Sequence, residues 1–306
     1  MSGSLFFVQT LNGIQLGILL YLMAAGLTLV LGVMNFINLA HGALYMMGAY
    51  FAASLFNWSG SFLLAGAGAV AGAFALGLLV ERVALMKLYE RDHLDQVLAT
   101  FGLILFFNEL ARIIWGPTPY HMGTPKLLTG TIELFGIPYP SYRFVITVAG
   151  LAVAAGLWYL IHRTRVGMLI RAGATNRAMV SALGVNIRLL NTLLFGIGAA
   201  LAGLAGLLVG PILSVQAGMG DSILVVTLVV IVIGGIGSVR GAFQAALIVG
   251  LVDTFGRVFL PLGLHQFLET SLAQAAGPPL SSMLVYLLMA VILAFKPLGL
   301  FPVRSR

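Results

Sequence analysis

Long, continuous apolar runs constrain this chain more than any other feature of its sequence. A membrane-spanning helix needs about 20 apolar residues, each adding about 1.5 Å. Runs of this kind occupy residues 11–33, 62–80, 97–115, 144–162, 189–210, 242–260 and 279–296. Shorter ones lie at 42–56 and 222–237. A membrane β-barrel would instead show alternating segments of roughly ten residues, and these runs do not alternate. Composition agrees: the 306 residues are 60% hydrophobic and only 8% charged. A soluble domain carries roughly 25% charged residues, so lipid must cover most of this chain's surface. The 38 glycines suit a bilayer, where close backbone approach rather than hydrophobicity brings helices together. The predicted fold class is all-α: a single polytopic integral membrane domain over 1–306, with about eight to ten membrane segments. The two short segments each follow a polar stretch, "NFINLAH" and "GPILSVQAGMGDS", and each reads as half of a discontinuous helix.

Enzyme chemistry has no foothold in the sequence. There is no cysteine, which removes thiolate catalysis and Cys-ligated metal. No GxxxxGK[ST] phosphate loop, HExxH or GxSxG occurs, so neither nucleotide nor zinc is expected by those routes. The histidines at 41, 93, 121, 162 and 265 are scattered. His93, in "ERDHLD" with Asp92 and Asp95, reads as part of a solvated loop. No cofactor, no metal and no nucleic-acid partner is predicted. The net charge of +7 is what basic cytoplasmic loops produce in a membrane protein.

Those loops set an orientation. The 81–96 connection holds Arg82, Lys87 and Arg91. The 163–188 connection holds Arg163, Arg165, Arg171, Arg177 and Arg188, and the C-terminus holds Lys296, Arg304 and Arg306. With nine crossings all three regions face the cytoplasm and the N-terminus lies outside. If one short segment does not cross, the N-terminus moves inside. The 116–143 connection, with Pro117, Pro119, Pro125, Pro138 and Pro140, is then a rigid external loop. The N-terminus "MSGSLFFVQT" lacks a basic n-region, so no cleavable signal peptide is expected. An internal echo, "VAGAFALGLLVERV" at 70–83 and "VRGAFQAALIVGLVDTFGRV" at 239–258, suggests two repeat halves, about 10–115 and 189–296.

Four motifs stand out. In "MNFINLAHGALYMMGAY" the polar Asn35, Asn38 and His41 interrupt apolar sequence. Irregular backbone at membrane depth is tolerated only inside protein or beside water, which would place these residues at a pathway. The plain alternative is an interfacial turn whose amides cap two helices. In the 163–188 loop, "RAMVSALGVN" reads as a short helix stopped by Gly184. It either docks a partner or lies on the bilayer. "VIGGIGSVRGAF", with Gly234, Gly235, Gly237 and Gly241, reads as a turn needing positive φ or close backbone contact. "GAVAG" (68–72) and "GLLVG" (206–210) read as helix-packing seams. The pairs Glu109–Arg112 and Asp253–Arg257 share helix faces and read as self-neutralising charges near span ends.

The stretch "NGIQLGILLYLMAAGLTLVLGVMNFINLAHGALYMMGAY" (12–50) resembles the start of LivH-type permeases, the transmembrane subunits of ATP-driven importers of branched-chain amino acids. The likeness continues through "RA…A…LGVN" (171–186), "GGIGSVRGA" (234–242) and "KPLGLF" (296–301). It implies a bacterial or archaeal cytoplasmic-membrane (inner-membrane) protein. It also implies a pathway formed with a LivM-type second permease or a homologous copy, two cytoplasmic ATPases, and an extracytoplasmic substrate-binding protein. The 163–188 loop, with Arg171, Ala172, Arg177, Ala178 and Gly184, would then couple to the ATPase. Asn35, Asn38 and His41 would line the substrate route. The acidic residue common early in the coupling loop of such permeases is replaced here by Thr175 and Asn176. The same class carrying urea or short amides stays open, as does a different class, an ion-coupled secondary transporter.

Overall fold

A computed structural model describes residues 3–266 and 269–302; Arg304 and Arg306 lie outside the described residues. The elements in chain order are α1 (Gly3–Met34), α2 (His41–Ser59), α3 (Phe62–Val83), α4 (His93–Trp115), β1 (Thr131–Leu134), β2 (Ile137–Pro140), α5 (Ser141–Arg163), α6 (Arg165–Thr175), α7 (Arg177–Ala182), α8 (Ile187–Val209), α9 (Met219–Gly234), α10 (Val239–Leu264) and α11 (Thr270–Phe295). Each of the nine predicted apolar segments falls on a helix. Among the described residues, seven helices are long and apolar enough to cross a membrane. The two that fall short are α2 and α9, those the sequence marked as broken. Helix α9 has 16 residues; α2 has 19 but carries His41, Tyr45, Tyr50 and Asn57.

The two most enclosed helices are α1 and α8. They meet at Gly26 and Gly198, where a Cβ on Gly26 would lie 2.7 Å from the Gly198 carbonyl oxygen. Around this contact, α1 packs on α10 and α8 on α3, α2 and α9 touch each other, and α5, α4 and α11 lie further out. The α1–α10 pair runs antiparallel, since Gly13 faces Leu251 and Gly17 faces Ala246.

Contacts sort the connections into two ends. At one end, Glu81 of α3 reaches Thr192 of α8, and Gln96 of α4 reaches the backbone of Ile37. Arg240 meets His162, and Gly32 meets Gly237 at this same end. At the other end, Tyr139 and Arg143 hold Asn12, Trp115 holds Ser54, and Tyr120 pairs with Val215.

The proline-bearing 116–143 connection contains an antiparallel hairpin with Leu134 opposite Ile137. Its two-residue turn, Phe135 and Gly136, has φ of 54° and 76°, the pattern that matches the right-handed twist of paired strands. Five prolines obscured these strands, because proline removes a ladder donor; Pro138 and Pro140 sit where an edge strand tolerates them. Helix α6 was also not expected. Its buried side is Gly167, Ile170 and Gly173, and two glycines on that side leave little helical signal in the sequence.

Candidate functional site: a broken helix pair at the centre of the bundle

Helix α1 stops where Asn35 turns left-handed, at φ 50°. Asparagine is one of the few non-glycine residues that tolerate this region. The Asn35 amide N–H still donates to Leu31 at 3.1 Å, while its side chain is exposed. Asn35 thus closes a helix end.

The chain does not continue at that end of the bundle. It folds back, and α2 begins at His41 beside Gly26, with His41 Cε1 3.0 Å from where a Gly26 Cβ would sit. Gly26 lies eight residues before the end of α1, so the return covers roughly 12 Å at 1.5 Å per residue. Gln96 holds the returning strand: its Oε1 accepts from Ile37 at 3.4 Å, and its Nε2 donates to Leu88 and Arg91 carbonyls at 3.3 and 3.1 Å. Gln96 is buried.

A second return mirrors the first. After α8 ends at the opposite end, residues 210–218 fold back and α9 starts at Met219. Its Gly220 packs directly on Gly42 of α2, and a Cβ on Gly42 would lie 2.5 Å from the Gly220 carbonyl oxygen. Only glycine at both positions allows that approach. Two helices therefore begin at mid-depth, start to start, and leave in opposite directions. Helix starts carry partial positive charge. Asp221 in the first turn of α9 supplies a negative one and accepts from Asn108, whose Oδ1 accepts from the Gly218 N–H.

Asn38 and His41 flank this junction, both 1% exposed. Among the described residues, neither polar atom of the Asn38 amide has a hydrogen-bond partner, nor does His41 Nε2. Thr28 Oγ1 on α1 and Asn191 Oδ1 on α8 are likewise buried without partners. A buried polar atom without a partner costs about 1–3 kcal/mol, and several lie on the helices meeting here. Of the three residues that the sequence groups together, Asn38 and His41 are interior and Asn35 is at an exposed helix end. Sequence reasoning missed Gln96, Thr28 and Asn191. A lone polar residue inside a span was the available signal for the last two.

The 163–188 loop is two short helices. Asn176 caps α7, accepting from Met179 N–H at 2.9 Å. Gly184, at φ 84°, donates to Ser181 at 3.0 Å while Val185 donates to Val180 at 3.4 Å. This is the paired-bond helix stop in which glycine takes the left-handed position. Arg171 donates to the Ile161 carbonyl and ties the loop to α5, and Ala172 is half-buried beside it. Arg177 and Ala178 form the first turn of α7. Met179 and Leu183 are 58% and 76% exposed, an apolar tip.

The glycine turn and the C-terminal motif form one unit. Gly235 and Gly237 have φ of 100° and 82°, as positive-φ turn positions require. Gly234 and Gly241 bring α9 and α10 together, with a Gly234 Cβ 2.5 Å from the Gly241 carbonyl carbon. Leu300 and Phe301 of "KPLGLF" donate to Ile233 and Gly234 at 2.8 and 3.1 Å. The packing reading of the other glycines holds as well: Gly68 and Gly72 face Leu55 and Phe51, and Gly206 faces the Tyr45–Ala49 backbone. The Glu109–Arg112 and Asp253–Arg257 pairs both close at 2.7 Å.

Comparisons with known proteins point one way. The family model described as the branched-chain amino acid transport system permease component matches residues 9–293. The permease protein BraD of a high-affinity branched-chain amino acid transport system in Pseudomonas aeruginosa is 29% identical, covering 95% of this chain and 94% of its own. The corresponding permease protein LivH of Escherichia coli K12 is 31% identical over 83% of this chain and 87% of its own. The ribose import permease protein RbsC of Escherichia coli K12 is 27% identical over 76% of this chain and 72% of its own.

Proposed function

Since the chain belongs to the branched-chain amino acid permease-component family, we propose that it forms half of the transmembrane pathway of an ATP-driven importer of branched-chain amino acids. The observation that carries this is the family match across residues 9–293. A second permease, LivM-type or a copy of this chain, supplies the other half. Two cytoplasmic ATPases supply the energy, as suits a chain without a phosphate loop. An extracytoplasmic binding protein delivers cargo. The 81–96 and 163–188 loops, the glycine turn and the C-terminus face the cytoplasm, and the N-terminus and the hairpin face outside. Their basic residues and their grouping at one end of the bundle support that orientation.

The exposed tip of α7, Met179 and Leu183, is the surface offered to an ATPase, with Arg171, Ala172, Arg177, Ala178 and Gly184 shaping the helix pair behind it. The 10–115 and 189–296 halves are inverted repeats. In support, α1, α2 and α3 hold places corresponding to α8, α9 and α10 in the packing pattern, and α4 meets α2 as α11 meets α9, a layout common in transporters with discontinuous helices. The GAF echo is out of register with that correspondence: Gly72 is the eleventh residue of α3 and Gly241 the third of α10.

Asn38 and His41 belong to the moving part of the route. Their orphaned atoms gain partners, water or the ends of the amino acid, in another state of the cycle, while Asn35 serves as the bend at its margin. A rigid-body shift of α2 against α9 at the Gly42–Gly220 contact is the simplest motion that would expose them. Purified with its partners, the transporter should hydrolyse ATP faster when loaded binding protein and leucine, isoleucine or valine are added. Similarity to a ribose permease favours a second reading, the same machine with other cargo. Stimulation by ribose, urea or a short amide, and not by leucine, would select it.

A further inference from the structure

A cavity of about 290 Å³ opens at the bundle's flank between α1, α5 and α10, away from the helix junction. Its walls are Tyr21, Ala154, Trp158, Ile161 and Phe243, and its mouth carries His162, Arg240 and Gln244. The wall is ordered: Tyr21 meets Phe243 edge-on at 5.0 Å, and Trp158 stacks on His162 at 5.4 Å. Arg240 Nη2 lies 3.3 Å from His162 Nε2. The described ion pairs leave Arg240 without a carboxylate. His162 and Arg240 sit within the last two residues of α5 and the first two of α10, so the cationic mouth is at the headgroup level and the apolar walls run inward beneath it.

From this juxtaposition of an unneutralised arginine and a greasy cleft on a membrane helix bundle, we infer a binding site for an anionic phospholipid. Its phosphate sits on Arg240, which His162 positions by accepting from Nη2 while its Nδ1 donates to the Trp158 carbonyl at 3.0 Å, and part of one acyl chain lies along Tyr21, Ala154 and Phe243. Size agrees: at the roughly 30 Å³ a water occupies, the cleft holds about ten groups of that size, a segment of acyl chain and no more. Charge agrees: basic pockets between membrane helices are the usual seats of acidic headgroups. A wall tryptophan stacked on the mouth's His162 suits an interfacial site, where amphipathic rings concentrate.

Native mass spectrometry of the purified transporter tests this, followed by titration of delipidated protein with phosphatidylglycerol, phosphatidylcholine and inorganic phosphate. The expected result is one retained anionic lipid per copy of this chain, with phosphatidylglycerol preferred over phosphatidylcholine. Arg240→Gln should weaken phosphatidylglycerol roughly fivefold, the effect of one basic side chain at a membrane surface. Arg240→Lys should keep most of the binding, and Ala154→Phe, which fills the cleft, should remove it with the charge intact. Equal binding of phosphatidylcholine, or unchanged retention in both Arg240→Gln and Ala154→Phe, would overturn the inference. So would displacement of the lipid by phosphate alone or by leucine, the second of which would make the cleft part of the cargo route. Full ATP-driven uptake by the variants leaves the transport reading standing whatever the lipid result, so the two fail separately.

Discussion

Asn35, Glu81 and Asn38 each place a polar group in a largely apolar chain, for three different physical reasons. Asn35 is there for its backbone. Asn35→Gly should leave thermal stability in detergent unchanged or slightly higher, and Asn35→Ala should lower it by about 1 kcal/mol, the price of a left-handed alanine. A large loss with glycine would show that its amide is the working part. Glu81, fully enclosed, accepts from Tyr89 Oη at 2.6 Å and Thr192 Oγ1 at 2.8 Å. Glu81→Ala removes the carboxylate that joins Tyr89 to Thr192, leaving Thr192 Oγ1 the Arg188 carbonyl at 2.9 Å, and should cost about 1–2 kcal/mol, read as a lower midpoint of thermal unfolding. The Asn38 amide finds no hydrogen-bond partner among the described residues. Asn38→Leu should therefore leave stability intact or raise it, while transport falls. Unfolding of that variant would mean that the amide is bonded in the resting molecule.

At the level of elements, the sequence carried the helices and lost the geometry of their breaks. Among the described residues, continuous apolar runs locate all nine large helices, because lipid admits almost no other backbone. Gly184 announced the stop of α7, because a left-handed helix end is a local property. What "NFINLAH" could not announce is its direction. Whether an irregular stretch ends at the surface or returns to mid-depth is decided by Gly26, Gly198 and Gly220 on other helices, and by Gln96 far along the chain. Asn35, Asn38 and His41 therefore looked like one cluster and are two different things. The joining of "GGIGSVRGA" to "KPLGLF" is likewise a tertiary fact. Its consequence is testable: the described hydrogen bonds from the C-terminal segment to the turn come from the Leu300 and Phe301 backbone, so Leu300→Ala, which loses only half-buried packing on the core, should be the milder change. Pro at 301, which removes the Phe301 N–H, should loosen the α9–α10 turn and lower the thermal midpoint. Equal effects would place the docking in the side chain.

The whole molecule is a bundle with its irregular parts inside and its apolar flanks out. Its interior is seamed with glycine, its loops at one end are basic, and α7 offers an apolar tip there. The proposed coupling role puts the ATPase contact on α7. Leu183→Asp puts a charge on that tip without touching the bundle, so the chain should still fold and pair with its partner permease while ATPase copurification and uptake are lost. Retained ATPase binding would move the docking surface elsewhere on the 163–188 loop.

The most direct measurement is uptake of radiolabelled leucine into proteoliposomes holding this chain with its partner permease and ATPases, with binding protein on the outside and ATP inside. Uptake that requires enclosed ATP and external binding protein, and that is indifferent to ionophores, is the predicted result. Uptake by this chain alone, driven by an ion gradient and unaffected by removing ATP, would contradict it.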